Sequence, residues 1–112
     1  MMTLMDNLNR IDKVGTEIEK LNKITDTRRG VLIPHTYFRL LHEYKIEMTR
    51  LWDEVKKELD QRGANYEEID LFNLRFYIGL TWEECGKFLK LSTDQIIKTC
   101  DKFGIEYDKN EL

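Results

Sequence analysis

The chain has 112 residues, 35% of them charged, with a formal net charge of −3. That length fits one domain, or a small domain with a helical extension, and high charge with six glycines and one proline points to long, exposed helices. No apolar run of about 18 residues occurs, and the start MMTLMDNLNRID lacks the cationic-then-apolar order of a secretory leader, so no membrane span and a cytoplasmic location are expected.

Residues 4–25 read as a helix, because Leu4, Leu8, Ile11, Val14, Ile18 and Leu21 recur at three- and four-residue steps. Ile11, Val14, Ile18 and Leu21 alternate as the seam positions of two heptads. A single stripe of this kind is not stable alone in water and must meet a partner helix. TDTRRGVLIPH, residues 25–35, breaks the pattern with Gly30 and Pro34. A second helix over 36–62 carries Leu41, Tyr44, Met48, Leu51, Val55 and Leu59 as an unbroken stripe. Its simplest partner is the first helix, folded back as a coiled-coil-like hairpin. The rival is a homodimer through Ile11, Val14, Ile18, Leu21, Leu41, Tyr44, Met48, Leu51 and Val55.

RGAN, residues 62–65, stops the second helix. Gly63 suits the left-handed position after a helix, and Asn65 with Glu68 has the form of a fresh N-cap. The third helix then runs 66–78. It is apolar on two faces, Ile69/Phe72/Phe76 and Leu71/Leu74/Ile78, and so is buried on two sides. Thr81 with Glu84 opens a fourth helix over 82–89, and Ser92 with Gln95 a fifth over 93–103. The turn Lys90-Leu91-Ser92 between them makes a helix-turn-helix. Gly86 supplies the small residue at the approach of the two helices. Cys85, Leu89, Leu91, Ile96 and Cys100 take its core positions. A left-handed Lys90 in the turn costs about 1 kcal/mol. The architecture expected is all-α: a hairpin or dimerisation arm over 1–62, a three-helix unit over 66–103, and an acidic C-terminal tail over 104–112, in which EYDKNEL has the plain alternative of an ordinary solvated end.

Cys85 and Cys100 fall on apolar helix positions and read as small core residues, not a disulfide framework. His35 and His42 lie seven apart without a third ligand, short of a zinc site. No glycine-rich phosphate loop and no nucleophile with a nearby histidine appear, so neither an enzyme nor a cofactor is expected.

LRFYIGLTWEECGKFLKLSTDQI resembles the C-terminal helix-turn-helix of sigma-factor region 4. Leu74, Arg75, Gly79, Leu80, Thr81, Trp82, Glu83, Glu84, Gly86, Leu89, Leu91, Ser92 and Ile96 fall on that pattern without a gap. The Trp-Glu-Glu version, after charged N-terminal helices, is similar to small phage late-gene regulators of the ArpU and RinA type. The resemblance covers about residues 70–103 and implies a DNA-binding regulator of phage or prophage type. Where that family carries basic residues in its last helix, this chain has Ile97 and Thr99.

In such a motif the start of the second helix meets base edges in the major groove. Here that places Ser92, Thr93, Asp94, Gln95, Ile97 and Lys98 at double-stranded DNA. Gln95 would pair with adenine, Ile97 would touch a thymine methyl and Asp94 would accept from cytosine. Lys87, Lys90, Lys98 and Lys102 would meet phosphates, with Arg28 and Arg29 as an outlying pair. A homodimer would double that charge. The charge distribution also suits an alternative class. Residues 1–65 hold 12 Lys/Arg against 11 Asp/Glu, whereas residues 66–112 hold 6 against 10, so the helix-turn-helix half is the acidic one. An acidic surface suits a protein-binding inhibitor of anti-defence, anti-CRISPR-like or host-takeover type, gripping RNA polymerase or a defence nuclease.

Overall fold

The computed structural model describes residues 3–27 and 35–112. Arg28, Arg29, Gly30 and Pro34 lie outside the described residues. The described chain is helical: α1 (Leu4–Thr27), α2 (His35–Gln61), α3 (Tyr66–Phe72), a π-helical turn (Asn73–Ile78), α4 (Trp82–Leu89), α5 (Thr93–Phe103) and a closing 3-10 turn (Lys109–Glu111). No helix among the described residues is long and apolar enough to cross a membrane.

Helices α1 and α2 form the hairpin. At 1.5 Å per residue α1 is about 36 Å long, more than the seven residues between the helices can span, roughly 25 Å. Packed neighbours joined so briefly must run antiparallel. Leu4, Leu8, Ile11, Val14 and Leu21 on α1 are buried, as are Met48, Leu51, Val55 and Leu59 on α2. Ile18 and Tyr44 pack against the same core, and Leu41 is half-buried. Arg10 Nε reaches Glu47 Oε1 across the pair at 2.8 Å. The stripe proposed for a homodimer is thus consumed inside one chain. Docking a second copy through Ile11, Val14, Ile18, Leu21, Leu41, Tyr44, Met48, Leu51 and Val55 would first have to open the hairpin.

Side-chain caps start four of these helices, and the carboxylate or amide three residues on returns the bond each time. Thr3 and Asp6 open α1, Asn65 and Glu68 α3, Thr81 and Glu84 α4, and Ser92 and Gln95 α5. The last three were legible as S/T/N-x-x-E/Q. Left-handed Gly63, Gly79 and Gly104 follow α2, the π-helical turn and α5.

The third helix departs from expectation. Instead of one α-helix over residues 66–78, it is α-helical to Phe72 and then widens, so that Gly79 N–H donates to Leu74 O, five residues back, at 3.1 Å. Phe76 and Tyr77 lie on this widened turn. Phe76 stacks edge-on against Trp82 at 5.8 Å, while Tyr77 meets Trp52 of the hairpin at 5.9 Å. Phe72 extends the row to Phe103 at 5.6 Å. One apolar interior therefore runs from Leu4 and Leu59 in the hairpin through Phe72 and Trp82 to Ile105 beyond α5.

The closing segment is not a solvated tail. Ile105 is 4% exposed, and Tyr107 and Leu112 pack on the core. Asp108 caps the last turn by accepting from Asn110 N–H at 2.9 Å.

Candidate nucleic-acid interface

Helices α4 and α5 meet across the turn Lys90-Leu91-Ser92. Lys90 is left-handed, with φ 57° and ψ 45°, as the turn demands. Gly86 is the point of closest approach. A Cβ there would stand 3.1 Å from Leu91 O and 3.2 Å from Ile96 Cδ1. Ile96, Cys100 and Phe103 turn the apolar side of α5 inward, and Trp82 and Cys85 do the same for α4. The opposite side of α5 is left to solvent.

That free side carries the residues assigned to DNA. Ser92, Thr93, Asp94, Gln95 and Lys98 are exposed together, and Ile97 is half-buried. The Gln95 carboxamide is partly engaged, because its Oε1 accepts from Ser92 N–H at 2.8 Å. Its amide N–H groups remain to donate. Bidentate pairing with adenine needs the oxygen as well, which must then share or leave the cap.

The lysines differ in availability. Lys98 and Lys90 are exposed and make no ion pair among the described residues. Lys87 Nζ stands 3.3 Å from Glu83 Oε1, with both side chains mostly in water, a contact worth little and easily exchanged. Lys102 is held more firmly. Its Nζ is 3.1 Å from Glu68 of α3 and 5.0 Å from the centre of the Phe103 ring. Asp94 and Asp101 are exposed on the same helix. The free face of α5 thus carries no excess of positive charge.

Arg75 has a role that the sequence pattern alone did not assign. Its guanidinium lies over the rings of Phe76 and Trp82, at 5.2 and 5.3 Å, and faces Asp12 of α1 at 3.9 Å and Glu111 at 3.7 Å. It ties hairpin, α4 and closing segment together instead of facing a ligand. The closing segment's fold was legible only in the apolar Ile105, Tyr107 and Leu112 among its acids.

The cysteines are buried in the core, and burial pushes the thiols up, Cys85 to about 11 and Cys100 to about 12. At neutral pH they are protonated core residues, not nucleophiles. Among the described residues no group of three His, Cys, Asp or Glu side chains is placed to hold a metal ion. Comparison of the chain with protein-family models, curated proteins and solved structures gives no match.

Proposed function

We propose that the chain is a DNA-binding regulator of the phage or prophage type its sequence resembles, acting through the α4–α5 helix-turn-helix. One observation carries this reading. A closely approached helix pair leaves one face of the first two turns of its second helix free, with Thr93, Asp94, Gln95 and Lys98 all in solvent. That is the surface a major groove receives. Lys98 and Lys90 supply phosphate contacts, Lys87 adds a third by exchanging Glu83 for phosphate, and Thr93 and Gln95 supply polar contacts to base edges. So few cations make a weak footprint for one copy. Two copies side by side on a palindrome double it, through a surface other than the hairpin stripe.

In vitro selection from random duplex DNA at moderate salt, followed by a salt titration, tests this. The expected result is an enriched palindrome whose binding weakens steeply as salt rises. No enrichment, with no binding even at low salt, overturns it.

A specific observation supports a second reading, a protein-binding inhibitor. Lys102 is paired with Glu68 and Lys87 stands beside Glu83, while Asp94 and Asp101 stay exposed on α5. Lys98→Glu separates the two readings. It abolishes DNA binding at every sequence but leaves an inhibitor that uses the acidic side little changed.

A further inference from the structure

We infer that the groove beside Gly15 is a docking site for a helix of a partner protein, one that lays an apolar side chain over Gly15 between two basic residues. The groove is independent of the α5 face. It encloses about 520 Å³ between α1, α2 and the π-helical turn, on the side of α1 that carries Asp12, Gly15, Thr16 and Glu19.

Gly15 is the first argument. It sits in the middle of a long helix, where glycine weakens the helix relative to alanine. Packing does not demand it: a Cβ at Gly15 would meet only Met48 Cε, at an ordinary 3.7 Å. The hairpin would close over an alanine without strain. What the missing side chain leaves is a notch in the groove wall, and a notch of this kind lets a second helix come close.

The floor is the second argument. Phe76, Tyr77 and Ile78 line it, and all three stand on the widened turn of the third helix. Widened turns of this kind recur at functional sites. Ile78 is 57% exposed at the lip, an apolar side chain with nothing over it among the described residues.

Charge names the occupant. Asp12 and Glu19 flank the notch on the same helix face, seven residues or about 10 Å apart along the axis. Glu19 makes no ion pair among the described residues. Asp12 has one ion pair among the described residues, a long one to Arg75 at 3.9 Å, and its side chain stays 48% exposed to a second cation. A partner helix with Lys or Arg three residues before and four after its apolar residue spans the same distance. Lys45 on the opposite wall repels those cations and so sets them on the α1 side.

The probe is a synthetic amphipathic helix with one leucine flanked by lysines at those spacings, beside the same peptide with glutamates instead. Binding to the full chain is followed by fluorescence anisotropy and by amide chemical shifts. The lysine peptide is expected to bind saturably and to move the signals of Gly15, Ile78 and Gly79. Glu19→Lys, an exposed change that leaves the fold intact, is expected to weaken it about tenfold or more, and so is the glutamate peptide. Gly15→Leu is expected to block it by filling the notch. The inference is overturned if the two peptides bind alike, if neither saturates, or if Glu19→Lys leaves the affinity unchanged. Self-association of the chain alone that Glu19→Lys abolishes would give the groove to a second copy, and would also overturn it.

Discussion

Lys102 Nζ stands 3.1 Å from both carboxylate oxygens of Glu68, thirty-four residues earlier. The same carboxylate accepts the Asn65 N–H at the start of α3. One group therefore caps a helix and holds the far end of α5 against it. Lys102→Ala is expected to lower stability by about 0.5–1 kcal/mol, as for a partly screened pair. On the proposed DNA-binding function it should also weaken binding less than Lys98→Ala does at the same salt. Denaturant melts paired with binding titrations check both halves, and equal losses of affinity would show that Lys102 leaves Glu68 for phosphate.

Two mid-helix glycines should respond to alanine with opposite sign. At Gly15 the new methyl finds ordinary contact, so Gly15→Ala is expected to raise stability by about 0.5–1 kcal/mol. At Gly86 it would press on the Leu91 carbonyl at 3.1 Å, a backbone atom fixed by its turn. Gly86→Ala is expected to lower stability by about 1 kcal/mol and Gly86→Leu by about 3 kcal/mol. Thermal denaturation of the three variants decides it.

Lys90 is the one non-glycine residue with positive φ among the described residues. Lys90→Gly relieves its left-handed strain but frees the unfolded chain, for a net gain of about 0.5 kcal/mol. Urea midpoints measure this gain, while a DNA titration measures the charge lost with it.

Ile105 is buried against the core beyond α5. Ile105→Ala is expected to lower stability by about 2–4 kcal/mol. A substitution in a solvated tail would stay within about 0.5 kcal/mol. Chemical denaturation separates the two.

Acid should loosen the start of α4. The Thr81 backbone N–H, and then its hydroxyl, hold the Glu84 carboxyl below its ordinary value of 4.5. Its stabilising effect is complete above that ordinary value and is lost as pH falls through the lower value of the folded state. Glu84→Ala removes the effect, whereas alanine at position 81 would keep the backbone N–H that is its larger cause. The stability of the wild type and of Glu84→Ala should therefore draw together as pH falls below 4.5, as measured by circular dichroism melts. A constant difference across that range would count against the cap.

The sequence made the repetitive features legible. Stripes at three- and four-residue steps located α1 and α2, and the reciprocal caps at Asn65, Thr81 and Ser92 placed the starts of α3, α4 and α5. Gly63 placed the end of α2. Features that depend on contacts between distant residues stayed hidden. The π-helical turn has no motif of its own: Leu74, Phe76 and Ile78 fit an ordinary helix until Trp52 and Trp82 are present to receive Tyr77 and Phe76. Charge alone also could not place Lys102 or residues 104–112, because their partners Glu68 and Arg75 are distant in sequence. Of the α5 residues assigned to DNA, Thr93, Asp94, Gln95 and Lys98 are exposed, Ile97 is half-buried and Lys102 is turned to α3.

The continuous interior from Leu8 to Phe103 has a consequence for modularity. The helix pair has no wall of its own behind Trp82 and Phe72; the hairpin and the closing segment supply it. Grafted onto a foreign arm, α4 and α5 would lose the surfaces that Phe76, Tyr77 and Arg75 rest on. Such a fold accepts substitution on the outer face of α5 while the scaffold behind stays whole, but it does not yield α4 and α5 as a transferable cassette.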